Sequence, residues 1–145
     1  MYPPSVISHR VSWAGGTRFS HQWSDAMNGI KSYQDNAVTT QSRGRLVVLL
    51  YEGAIKFMKL AVREIEANNY EAKGRYINKA QDIINELNAV LDVDAGGEIA
   101  SNLRRLYMFM NRRLSEANIK RDPQMIREVI GLMEELNQSW KAISG

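Results

Sequence analysis

The stretch YINKAQDIINELNAVL, Tyr76–Leu91, repeats its apolar residues at helical spacing. Ile77, Ala80, Ile84, Leu87 and Leu91 step by three and four and share one face, which Tyr76, Ile83 and Val90 widen. Downstream, Ile126, Val129, Met133, Leu136, Trp140 and Ile143 form a second stripe of the same period, with Asp122 placed to cap the helix and Pro123 as its first residue. Between them, Ile99, Leu103, Leu106, Met110, Leu114 and Ala117 make a third, preceded by the helix-breaking run Asp94-Ala95-Gly96-Gly97. A first helix is expected over about Ser42 to Asn68. The connections at Asn68-Asn69, Asp92 to Gly97 and Asn118 to Asp122 are short, so successive helices must run antiparallel. The expected fold is all-α: an up-down antiparallel four-helix bundle over residues 42–145, behind a largely irregular, flexible N-terminal tail over residues 1–41.

The first helix differs from the others. Leu46, Leu50, Ala54, Phe57, Ala61 and Ile65 make one stripe, and Val48, Tyr51, Ile55, Met58 and Val62 make another. A helix apolar around more than half its girth is either a central helix packed against several neighbours or one that leaves a stripe open as a groove for a partner's helix. Both readings stand at the level of sequence.

The tail lacks sustained periodicity and is rich in Ser, Gly, Pro, Asn and Thr. It holds both histidines, His9 and His21, and the tryptophans Trp13 and Trp23. Met27 offers an alternative natural start, which mass spectrometry of the native protein would settle.

Composition removes several classes of function. The chain has 145 residues, 44% of them hydrophobic, enough for one real core. It has no cysteine, so disulfides, thiolate metal sites and cysteine nucleophiles are excluded, and the fold must stand on packing. The net charge is +3, of which the stretch to Ala26 contributes +1 through Arg10 and Arg18 against Asp25. Lys and Arg interleave with Glu and Asp elsewhere, as on a solvated helix surface, which argues against nucleic acid. The cluster Arg104, Arg105, Arg112 and Arg113, with Tyr107 and Phe109 between them, reads as the outer face of a bundle helix. No apolar run reaches the length of a membrane span, because Leu46–Tyr51 is cut off by Glu52 and Gly53. The start MYPPSVISHR lacks a secretory signal's charged and apolar regions, so a cytoplasmic location without membrane insertion is expected.

A ferritin-like metal site needs Glu-x-x-His on the helices, and the helices carry no histidine. Glu64, Glu66, Glu98, Glu134 and Glu135 lie beside polar neighbours or at helix starts and read as solvated surface or caps. Gly96-Gly97-Glu98 is a turn and not a phosphate loop, since no G-x-x-x-x-G-K-[ST] run or preceding strand accompanies it. No catalytic residue, metal or cofactor is expected, and the chain reads as a binding protein.

The residues resemble the FliS family of flagellar export chaperones from about Tyr33 to Trp140. Tyr33 with Val38-Thr39-Thr40, and Gly44 through Phe57 (GRLVVLLYEGAIKF), look like that family's signature around the first helix. Ala80-Gln81-Asp82-Ile83-Ile84 with Glu86-Leu87 and Leu91-Asp92 resembles its second-helix pattern. Gly96-Gly97-Glu98-Ile99-Ala100 with Asn102-Leu103 and Leu106-Tyr107 resembles the third, and the late Trp140 also fits. Where the family has Ala-Ser-Pro before the first helix, this chain has Gln41-Ser42-Arg43, so proline does not fix the helix start.

The resemblance implies a cytosolic chaperone that holds the disordered C-terminal segment of flagellin, prevents premature polymerisation and delivers it to the flagellar type III export gate. It points to Leu46, Leu50 and Ile55 on the first helix, Ala80, Ile83, Ile84 and Leu87 on the second, and Asn102, Leu103, Leu106 and Tyr107 on the third as flagellin contacts. Tyr33 and Val38 are implied as a displaceable groove plug and export-gate contact. The alternative is a helical adaptor or regulatory bundle for another flagellar factor, such as an anti-sigma regulator. The free protein is compatible with a monomer or a homodimer.

Overall fold

The computed structural model describes residues 40–91 and 93–144; the expected tail up to residue 39, with Tyr33 and Val38, lies outside the described residues. Four helices follow one another: α1 (Thr40–Glu66), α2 (Tyr70–Ala89), α3 (Val93–Lys120) and α4 (Pro123–Ser144). They form a ring in which α1 packs on α2 and α4, and α3 closes the far side against the same two helices. This is the all-α antiparallel bundle that the periodicities predict.

Two tight connections impose the antiparallel course, and they are built alike. At the end of α1, Asn68 takes a left-handed conformation (φ 58°). Its N–H donates to the Ile65 carbonyl at 3.0 Å, and that of Asn69 donates to Glu64 at 2.8 Å. Asn69 then caps α2, its side chain accepting from the Ala72 N–H. At the end of α3, Arg121 is left-handed (φ 55°) and the Asp122 N–H donates to the Ala117 carbonyl at 3.1 Å. Asp122 accepts from the Gln124 N–H at 2.9 Å, the cap expected from sequence. A left-handed arginine is uncommon. Its guanidinium lies over the Tyr70 ring, 3.9 Å from the centroid, and this contact joins the two connections at one end of the bundle. Asp122→Ala is expected to lower stability by about 1 kcal/mol, read as a shifted denaturant midpoint at unchanged m-value.

The Asp94–Gly97 break falls inside an element. α3 begins a turn earlier, at Val93, and Gly97 interrupts it with φ 58° and ψ −131°, a conformation open essentially only to glycine.

The double stripe of α1 is resolved by its two neighbours. Leu46, Leu50, Ala54, Ala61 and Ile65 are buried, and so are Tyr51, Ile55, Met58 and Val62, while Phe57 and Val48 are half-buried. α1 packs on α2 and α4 more extensively than α3 does, with Ala54 and Ala61 buried on its inward face. The girth of α1 is therefore that of a central helix, and neither stripe is left open.

Candidate partner-binding seam

Most residues that the family resemblance proposes as flagellin contacts belong to the core. Leu46, Leu50, Ile55, Ala80, Ile83, Ile84, Leu87, Leu103 and Tyr107 are all buried. On α2 this follows from direction: Ala80, Ile83, Ile84 and Leu87 share the inward face with Ile77. Tyr107 is held by chemistry as well as packing. Its hydroxyl lies 2.6 Å from that of Tyr51, and Tyr51 also stands against Trp140 at a ring separation of 6.1 Å. Burial pushes the Tyr51 phenol up to about 12, against the lowering effect of its hydrogen bond to Tyr107. These three rings tie α1, α3 and α4 together in the interior, where a hydroxyl requires a partner. Asn102 is exposed and Leu106 half-buried.

Asn102 and Leu106 belong to a larger surface feature. On α3, Ile99, Leu106 and Phe109 fall on the same side as Arg113 by helical spacing. Arg113 reaches across to Glu128 of α4, with Nη2 to Oε2 at 2.9 Å and Nε to Oε2 at 3.2 Å, so this side of α3 borders α4. On α4, Met125, Leu132, Leu136 and Ile143 share the side of Glu128. The antiparallel register does the rest. Leu106 lies about two turns before Arg113 and Leu136 about two turns after Glu128, which sets them level; Ile99 and Ile143 are level two turns further on. Leu106, Phe109, Leu132, Leu136 and Ile143 are all partly buried, and Ile99 is 43% exposed. The result is an apolar seam between α3 and α4, closed at one end by an ion pair. Arg113 also meets Glu116, and its charged form is favoured chiefly by the hydrogen bond to Glu128.

The opposite flank of α3 is sewn shut by polar contacts to α2. The Gln81 amide donates to the Asn111 carbonyl at 3.1 Å and to the Ser115 hydroxyl at 2.8 Å, and Asn111 donates to Asn85 at 2.7 Å. Lys73 donates to both the carbonyl and the side chain of Asn118, at 2.9 and 2.5 Å. Burial, and secondarily Arg121, lowers its pKa. The margin between α2 and α3 is thus occupied by the protein's own side chains.

The sequence reading missed Phe109 and Leu132 as seam residues, although each is one turn from a stripe residue, Leu106 and Leu136 respectively. Glu86 enters the sequence reading only as part of the second-helix resemblance. This carboxyl stands at helical spacing from Ile83 and Val90 and is buried among apolar neighbours, which raises its pKa to about 7. A carboxylate spaced from two core residues is the signal that marks it.

The basic cluster on α3 is dispersed. Arg113 is in ion pairs, Tyr107 is in the core and Phe109 is half-buried at the seam, so the arginines do not flank a row of open aromatic platforms for stacking bases. Among the described residues there is no cluster of three or more His, Cys, Asp or Glu able to hold a metal, and no helix is long and apolar enough to cross a membrane.

Comparison with known proteins agrees with this architecture. Residues 26–145 match the family model described as flagellar protein FliS. The flagellar secretion chaperone FliS of Salmonella typhimurium (strain LT2) is 42% identical over 122 residues, covering 81% of this chain and 90% of that protein. Its counterpart in Bacillus subtilis (strain 168) is 40% identical over 114 residues, covering 79% and 84%. A flagellar secretion chaperone FliSB of Pseudomonas aeruginosa is 37% identical over 123 residues, covering 82% and 98%. The family-model match spans the whole bundle, connections and seam included, and the chain belongs to the FliS family of flagellar secretion chaperones.

Proposed function

We propose that this protein acts in the cytosol, by binding and without catalysis, to hold the C-terminal segment of flagellin, delay its polymerisation and present it to the flagellar type III export gate. The observation that carries the reading is the apolar seam of α3 and α4 on a member of this family. Leu106 and Ile99 face Leu136 and Ile143 across it, partly exposed, on a bundle whose α2/α3 flank is closed by amides. A disordered segment that folds against such a seam gains apolar contact at the cost of its own ordering, which keeps a large interface releasable.

In this reading Asn102 and Leu106 touch flagellin. The buried residues of the same helices, Leu103 and Tyr107 on α3 and the α2 set, hold the seam's shape from beneath. Tyr33 and Val38 are assigned to plugging the empty groove and contacting the export gate. Titration of a peptide of the flagellin C-terminal segment into the full chain should give submicromolar binding by calorimetry and a gain of helix by circular dichroism. Neither heat nor helix would remove the proposal.

A further inference from the structure

A second surface lies between α1 and α4, away from the seam. Here an open groove of about 840 Å³ is lined by α1 residues from Glu52 to Arg63 and α4 residues from Glu134 to Lys141. Its polar lining is unbalanced. Lys59 pairs with Glu134 at 3.2 Å and Lys141 with Glu52 at 3.4 Å, which uses both carboxylates. Lys56 and Arg63 line the same groove without an ion pair among the described residues, so it carries a net charge of +2. They are seven residues apart on one face of α1, about 10 Å along the axis. Leu60, half-buried, supplies apolar contact between them. Asn137, 3% exposed, lines the groove from α4, and its amide oxygen has no hydrogen-bond partner.

We infer that the α1/α4 groove docks an acidic amphipathic helix of a partner protein. Two of the helix's carboxylates, about two turns apart, would meet Lys56 and Arg63. Its apolar face would cover Leu60 and the aliphatic stems of the groove's lysines. The shape suits a helix, because two antiparallel helices leave a trough into which a third packs. The charge excludes a second copy of this chain, since a two-fold contact would set Lys56 and Arg63 against their own equivalents. Nucleic acid fits poorly, as no aromatic side chain lines the groove. The exposed charges supply selectivity more than affinity. This docking is independent of flagellin binding at the seam.

The test uses the full chain, labelled with nitrogen-15, and three probes. These are a 15-residue amphipathic Leu/Glu helix peptide, its Leu/Lys counterpart and a single-stranded DNA 15-mer. The Leu/Glu peptide should shift the amide signals of Lys56–Arg63 and Asn137–Lys141, and neither other probe should. The double variant Lys56→Glu, Arg63→Glu changes only surface charge, and its affinity for the Leu/Glu peptide should fall at least tenfold with an unchanged circular dichroism spectrum. Equal shifts from the Leu/Lys peptide or the DNA would overturn the inference. So would shifts confined to the α3/α4 seam, no shifts at about 1 mM peptide, or undiminished affinity in the variant.

Discussion

Ile83→Asp is expected to unfold the bundle, whereas Leu106→Asp leaves it folded and removes flagellin binding. Ile83 is fully buried on the inward face of α2, at 0% exposure. A carboxylate there has no water and no partner, and a penalty above about 4 kcal/mol is a large share of the roughly 5–15 kcal/mol that holds a domain folded. Leu106 stands at the edge of the core, packed against it but partly open along the seam. Its aspartate stays in contact with water, so the loss in stability is about 1 kcal/mol. The affinity of a flagellin C-terminal peptide should nevertheless fall at least tenfold, about 1.4 kcal/mol. Denaturant unfolding followed by circular dichroism, paired with calorimetry on the same samples, separates the two. Intact binding by a folded Leu106→Asp variant would take the seam out of the interface.

Glu86 predicts an unusual dependence of stability on pH. Its folded pKa, raised by burial to about 7, stands above an ordinary value of 4.5. Between those values the folded state keeps the proton and the unfolded state has released it, so this group's contribution to stability falls as pH rises. The contribution is at its best below pH 4.5 and fully lost above about 7. At about 1.4 kcal/mol per unit, the cost reaches about 3 kcal/mol at pH 8. Exposed carboxylates such as Glu116, held below its ordinary range by Lys120 and then Arg113, act in the opposite sense at lower pH. The clean measure is therefore the difference between wild type and Glu86→Gln. That difference should be small near pH 4.5 and grow in the variant's favour to about 2–3 kcal/mol by pH 8, which is several degrees in Tm or more. A gap that does not change with pH would show that Glu86 ionises freely in the folded protein.

The fold was almost wholly legible in the chain because each helix states its period and each connection its caps. Ile77, Ala80, Ile84 and Leu87 name the inward face of α2, and Asp122-Pro123 names the start of α4. The binding surface was far less legible, for a physical reason. Periodicity tells which residues share a face and not how many neighbours that face will meet. The two stripes of α1 were equally suited to a second neighbour and to an open groove; α4 took the second stripe, and Leu46, Leu50 and Ile55 went into the core. The seam instead arises where α3 and α4 each turn the margin of a stripe outward, at Leu106 and Leu136. A margin is defined only once the register between two helices is set, here by Arg113 and Glu128. Polar closure of the α2 and α3 flank through Gln81, Asn85 and Asn111 likewise depends on which helices become neighbours.

The absence of cysteine allows the central claim to be tested at single positions. Leu106→Cys and Leu136→Cys on the two sides of the seam, and Arg75→Cys on the exposed outside of α2, can each carry one photoactivated cross-linker in the full chain. Mixed with flagellin and irradiated, positions 106 and 136 should capture its C-terminal segment, identified by mass spectrometry, and position 75 should not. Capture from position 75 alone, or from none of the three while calorimetry still shows binding, would contradict the account.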